Sequence, residues 1–262
     1  MESNLIFSDE PIFIKNGISD WSLIDGNIFE ILLSSFPNSK IVKDINIDKS
    51  TDDEVLLKDF LWEFKNSTNN IASWSWQPFL DFDDKHNLYK LPQSLDNKNI
   101  NRNVLTNNLL SPWIVFSSKS MVCNLHKDMF ELPGLVCQLY GTKEFIIINH
   151  EQDKLKYELE SKYYSEHELS QLGLDYIKYI MEPGDFLYFP SNWYHQARSI
   201  SNSVTFVHSV LTTDKINDFM SSIACQLPEV VQRLSSNIKK DYKSSNCLHW
   251  WCQGFYIYDE YK

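Results

Sequence analysis

The chain predicts a mainly β fold with α additions, a sandwich or double-sheet jelly roll followed by a helical C-terminal extension. Two observations carry this. From residue 111 onward short apolar and β-branched runs recur (WIVF, LVCQLY, EFIIIN, YIKYIM, DFLYFP and VTFVHSV), separated by turn signals such as LPG, YGT, EPGD and SNS. Short strands so punctuated close well as two packed antiparallel layers. After about residue 214 the pattern becomes KINDFMSSIACQLPEVVQRLSSNIKKDYK, helical in character and broken or restarted at Pro228. This divides the chain into a jelly-roll unit over residues 1–213 and a helical extension over 214–262, which could pack on the barrel or pair two subunits as a homodimer.

The elements follow in chain order. PIFIKNGISDW reads as a short strand, a glycine-containing turn, and a tryptophan, Trp21, that anchors what comes next. TDDEVLLKDFLWEFKN, residues 51–66, reads as an amphipathic helix: its acidic start suits a helix N-terminus, and Val55, Phe60, Leu61 and Phe64 fall near one face. Residues 67–110, rich in Asn and Asp, read as loops and short strands, with Trp74 and Trp76 on one face as core or substrate wall. A helix is expected over 151–172, interrupting the later strands.

Bulk composition excludes several classes. At 262 residues the chain can bury a sizeable core without disulfides or a structural metal. A net charge of −11 argues against sequence-blind binding to nucleic acid or anionic membrane and mildly favours a neutral or cationic substrate. No apolar run reaches transmembrane length, and MESNLIFSDEP lacks the zones of a signal peptide. Five irregularly spaced cysteines (Cys123, Cys137, Cys225, Cys247 and Cys252) suit reduced thiols in the cytoplasm, or the nucleus of a eukaryote.

One constellation carries chemistry. His126 and Asp128 are two residues apart, so an extended strand sets both on one face about 7 Å apart between Cα atoms. A second imidazole, His195, must come from another strand. Glu182-Pro183-Gly184-Asp185 has the residues of a type II turn, Phe186–Phe189 continues as a strand, and Trp193-Tyr194-His195 delivers the ring. Two imidazoles and one carboxylate can take one triangular face of a six-coordinate metal, leaving the opposite face open, as in non-heme Fe(II) oxygenases.

From Pro112 to about Leu211 the chain resembles the JmjC or cupin-type Fe(II)/2-oxoglutarate-dependent hydroxylases. The resemblance rests on Asn124-Leu125-His126-Lys127-Asp128, Gln138-Leu139-Tyr140-Gly141-Thr142-Lys143, Pro183–Pro190 and Trp193-Tyr194-His195. It implies a double-stranded β-helix (jelly-roll/cupin) core with His126, Asp128 and His195 as the iron ligands. It also implies that Lys143 pairs with the distal carboxylate of 2-oxoglutarate, where a buried cation is what a dicarboxylate needs. Gln138 is expected to line the same pocket.

Three positions depart from the family pattern. Cys123, a weak donor, replaces a Thr or Ser that hydrogen-bonds the co-substrate in many relatives. Met129–Gly134 holds no Asn where relatives often carry one after H-x-D. His208 stands where the last strand often turns an Asn into the pocket, as a pocket donor, proton carrier or core residue.

Two further groups have plainer readings. Cys247-Leu248-His249-Trp250-Trp251-Cys252 lacks standard zinc spacing, with Cys225 the nearest further thiol, and reads as buried apolar surface. Asp81-Phe82-Asp83-Asp84 reads as a solvated loop.

The reading is a dioxygenase that hydroxylates an unactivated C–H bond, first of all on a protein or peptide side chain, with a free amino acid, natural product or tRNA base as alternatives. A non-catalytic cupin shell, motivated by the Cys123 and Asn departures, is the rival from another class. A metal-dependent oxygenase or isomerase that dispenses with 2-oxoglutarate is the third reading.

Overall fold

A computed structural model describes residues 8–46, 49–79, 88–89, 112–128, 132–152, 159, 162–209, 217 and 219–222. The heart of the molecule is an eight-strand jelly roll. Its strands are β5 (Trp113–Ser117), β6 (Val122–His126), β7 (Gly134–Tyr140), β8 (Lys143–Ile148), β9 (Ile177–Met181), β10 (Phe186–Phe189), β11 (Tyr194–Ser199) and β12 (Ser203–Ser209). The chain alternates between two antiparallel sheets. The smaller has the order β6-β11-β8-β9. The larger takes β10-β7-β12-β5 and continues at both ends, with β1 (Ile12–Ile14) beyond β10, and β4 (Ala72–Trp76), β2 (Lys40–Asn46) and β3 (Lys49–Leu56) beyond β5. The expected jelly roll is therefore present, with N-terminal strands widening one sheet.

Strand alternation sorts the side chains into layers. Between the sheets lie Val136, Phe145, Ile147, Leu187, Phe189 and Trp193. The other face of the large sheet packs Leu135, Cys137, Phe186, Val204 and Phe206 against helices α1 (Ile28–Ser35) and α2 (Leu57–Asn66). Trp21 anchors that layer as expected: it is 1% exposed and meets Phe206 edge-on at 4.9 Å. The outer face of the small sheet is covered too, with Ile146 and Ile148 under Tyr164, Leu169 and Leu174.

Two expected helices are shorter than the sequence implied. Residues 51–56 belong to β3, which pairs with β2 through Lys40↔Leu56, Ile41↔Val55 and Val42↔Glu54, so the helix begins only at Leu57. Ladder hydrogen bonds to a neighbouring strand outweigh the acidic helix-start signal there. Phe60, Leu61 and Phe64 are buried as the helical face required. Of the 151–172 stretch, the described helix is α3 (Glu166–Gln171), started by a capping box between Ser165 and Glu168. Before it, the Tyr164 backbone is held in both directions by the Gln196 side chain, at 2.9 and 2.6 Å, which fixes the chain over β11 instead.

The type II turn is present. The Asp185 amide donates to the Glu182 carbonyl at 3.0 Å, and Gly184 has φ +97°, a conformation that favours glycine. Asp185 also accepts from the Glu182 and Asn16 amides, tying the turn to the N-terminal strand. Trp76 is core, whereas the Trp74 indole N–H is buried with no hydrogen-bond partner among the described residues. No described helix is long and apolar enough to cross a membrane. The Asp81–Asp84 run and the Cys225 and Cys247–Cys252 thiols lie outside the described residues. So does the 214–262 extension except at 217 and 219–222, which are helical.

Candidate metal centre

Neighbouring strands of the small sheet bring the two histidines together. His126 ends β6 and His195 is the second residue of β11, and the two are cross-strand partners. Their ring centroids are 4.2 Å apart. Asp128 lies just past the end of β6, and its Oδ1 stands 3.9 Å from His126 Nε2 and 3.7 Å from His195 Nε2. Ligand atoms of the three residues all lie within 4.8 Å of one another, the only such group of three or more among the described residues.

Both rings are aimed by the backbone. His126 Nδ1 is 2.8 Å from the Asn124 carbonyl, and His195 Nδ1 is 3.4 Å from that of Trp193. A carbonyl only accepts, so each Nδ1 carries the proton and, in the neutral ring, each Nε2 turns a bare lone pair toward Asp128. Phe189 backs His195 from the inter-sheet core, with ring centroids 4.4 Å apart.

The metal-free cluster holds its charge unevenly. Burial opposes a charge on His126, but Cys123, Asp128 and the Asn124 carbonyl outweigh it and raise its pKa to about 9. Burial raises Asp128 to about 6, with His126 pulling the other way. Burial, and then the charge on His126, push His195 well below the usual histidine range. Two nitrogens and a carboxylate thus converge around one positive charge, the donor set and spacing a divalent cation can take over.

Deeper between the sheets lies Lys143, 4% exposed at the start of β8. Burial lowers its pKa to about 8, and the neighbouring Cys123 thiol pulls it back up. Among the described residues no carboxylate lies within 4.0 Å of its ammonium; it donates only to Thr205 Oγ1, at 3.2 Å. Cys123 stands between the two centres, with its sulfur 3.9 Å from His126 Nδ1. Beside Lys143 the hydroxyls of Ser117, Ser199 and Ser203 form a closed triangle with sides of 2.6, 3.0 and 3.1 Å. Ser199 is the cross-strand partner of Lys143.

The candidates from the sequence therefore divide. His126, Asp128 and His195 come together, with Cys123 beside them. Lys143 and Gln138 come together through Thr205, which accepts from Lys143 and donates to Gln138 Oε1 at 3.0 Å. His208 does not join either group. It pairs with Leu135 and meets the Phe206 ring at 6.2 Å, on the face of β12 turned to the helices, while Thr205 faces the small sheet. This corrects the expectation that His208 lines the pocket. Thr205 was missed, because a polar residue inside the apolar run VTFVHSV carries no distinctive spacing.

A jelly roll with a two-histidine, one-carboxylate cluster at the rim of its small sheet defines a cupin-type architecture with a candidate metal site. Residues 95–219 match the model of the JmjC domain family, which is consistent with the resemblance seen in the sequence. No curated protein matches the chain.

Proposed function

We propose that this protein is an Fe(II)- and 2-oxoglutarate-dependent dioxygenase that hydroxylates an unactivated C–H bond, with a protein or peptide side chain as substrate. The convergence of His126, Asp128 and His195 within 4.8 Å carries the reading. In it, His126 Nε2, His195 Nε2 and an Asp128 oxygen hold the iron on one face. The buried ammonium of Lys143 pairs with the far carboxylate of 2-oxoglutarate, and its lack of a carboxylate partner among the described residues fits that role. When bound, iron and 2-oxoglutarate together supply the activation of dioxygen. The chain's own part is to aim the ligands through the Asn124 and Trp193 carbonyls, and to keep bulk water out with Phe189, Trp193 and Ile147. The acidic chain suits a neutral or cationic side chain better than a nucleic acid.

The test is anaerobic titration of the metal-free protein with Fe(II) and then 2-oxoglutarate, following the visible charge-transfer band. The band should appear in the wild type and be absent in Asp128→Ala. Iron binding without the band would remove 2-oxoglutarate from the reading. Failure to bind iron would leave a non-catalytic shell.

A further inference from the structure

Gln138 and Thr205 form a polar chain behind Lys143 whose direction can be read from its ends. Gln138 is fully buried, and its amide nitrogen donates to the carbonyls of Tyr140, at 2.7 Å, and Gly141, at 3.1 Å. Two carbonyls can only accept, so the amide NH₂ must face them and Oε1 must face Thr205. Oε1 in turn can only accept, so the Thr205 hydroxyl spends its one proton there, at 3.0 Å. What Thr205 turns toward Lys143 is a lone pair, and the ammonium donates into it at 3.2 Å. The nearby Ser117, Ser199 and Ser203 hydroxyls bond to one another in a closed triangle and send no hydrogen bond to this chain.

We infer that Gln138 and Thr205 are positioning residues for an anionic co-substrate: they lock the Lys143 ammonium in one orientation and do not themselves donate to the anion. This rests on the proposed function and deepens it. One N–H of Lys143 is pinned to Thr205, which leaves the other two for a carboxylate. Thr205 has no proton to offer that carboxylate while Gln138 Oε1 holds it. The thiol of Cys123, 3.9 Å from His126 Nδ1, is a weak donor. The co-substrate carboxylate is thus gripped by the oriented charge of Lys143.

The relay predicts a pattern that a direct Thr205 contact does not. In the full-length protein loaded with Mn(II) or with anaerobic Fe(II), Thr205→Val should weaken 2-oxoglutarate binding by about tenfold to a hundredfold, the loss expected for a hydrogen bond to a charged group. Thr205→Ser should restore most of it. Gln138→Leu should also weaken binding, because it frees Thr205 to rotate and unlocks the ammonium. Metal affinity should be unchanged in all three.

A second readout needs no co-substrate. In metal-free protein labelled with ¹⁵N-lysine, the Lys143 ammonium should give a slowly exchanging ¹H–¹⁵N signal in the wild type and Thr205→Ser. Thr205→Val and Gln138→Leu should lose it. Unchanged or tighter 2-oxoglutarate binding in Gln138→Leu would overturn the relay and make Thr205 a direct donor. So would an ammonium signal that survives in Thr205→Val. A wild type that shows the ammonium signal but binds no 2-oxoglutarate would sink the co-substrate reading while leaving the lock on Lys143 standing.

Discussion

The ring of Phe189 lies against the imidazole of His195, centroids 4.4 Å apart and planes inclined by 36°. On its other side that ring fills the space where Gly134 would carry a side chain: a Cβ there would fall well inside contact distance of three Phe189 ring carbons. The absence of a side chain at Gly134 is thus passed through one phenyl ring to a histidine of the candidate metal centre.

Gly134→Ala should consequently do two things. Overpacking should cost about 1–3 kcal/mol of stability. The displaced Phe189 should also disturb His195 and weaken Fe(II) or Mn(II) binding. Urea melts and metal titration of the same preparation check both, and a variant with wild-type metal affinity would break the proposed link.

Lys143→Met separates the two centres. The ammonium is buried with only Thr205 as a hydrogen-bonding partner among the described residues, and burial lowers its pKa to about 8. Methionine removes the charge and keeps the bulk, so 2-oxoglutarate affinity should fall by at least about thirtyfold while metal affinity holds. The metal-free variant should melt higher than wild type, since a costly buried cation is gone. A lower melting temperature would show that the ammonium is better stabilised than this geometry allows.

Asp44 makes stability depend on pH far from the metal. It is 6% exposed in β2, with one long hydrogen bond from the Trp74 amide at 3.4 Å. Burial raises its pKa from 3.8 to about 7, against that one bond. The unfolded chain releases this proton near pH 4, whereas the folded chain holds it to about 7. Ionisation therefore favours the unfolded state: the penalty is absent below the unfolded value, grows as pH rises toward 7, and is level above it. At full size it is about 4 kcal/mol. Asp44→Asn should match wild type in denaturant melts near pH 4 and exceed it above pH 7. An equal difference at both pH values would assign the effect to something other than this proton.

Trp21→Ala should cost about 3–5 kcal/mol, the usual loss for a fully buried large aromatic. Its edge contact with Phe206 bears on β12 one residue from Thr205, so 2-oxoglutarate binding should weaken more than metal binding. Loss of both to the same extent would point to general loosening instead.

The core of the fold was legible because six of its eight jelly-roll strands are apolar runs set off by turn signals, and strong periodicity survives tertiary context. The triad was legible because H-x-D and W-Y-H sit at strand ends. Residues 51–56 were not, since an acidic stretch before an apolar one looks like a helix start, and only β2 alongside decides for a strand. The face of His208 was hidden for a different reason. Both faces of β12 are covered, so its near-continuous apolar run does not mark which face turns to the small sheet.

On the proposed reading, the buried serine triangle predicts a kinetic order. Ser117, Ser199 and Ser203 are at most 1% exposed and bonded to one another next to Lys143, while the side chains of His126 and Asp128 are 22% and 15% exposed. Among the described residues the metal end of the cluster is the more exposed and the lysine end the more buried. On the proposed reading, a dicarboxylate bound for Lys143 would travel past the candidate metal ligands before it is seated. A large substrate already parked there would block that path. Turnover should then be sequential, co-substrate first, and excess substrate should inhibit by trapping the enzyme empty behind it.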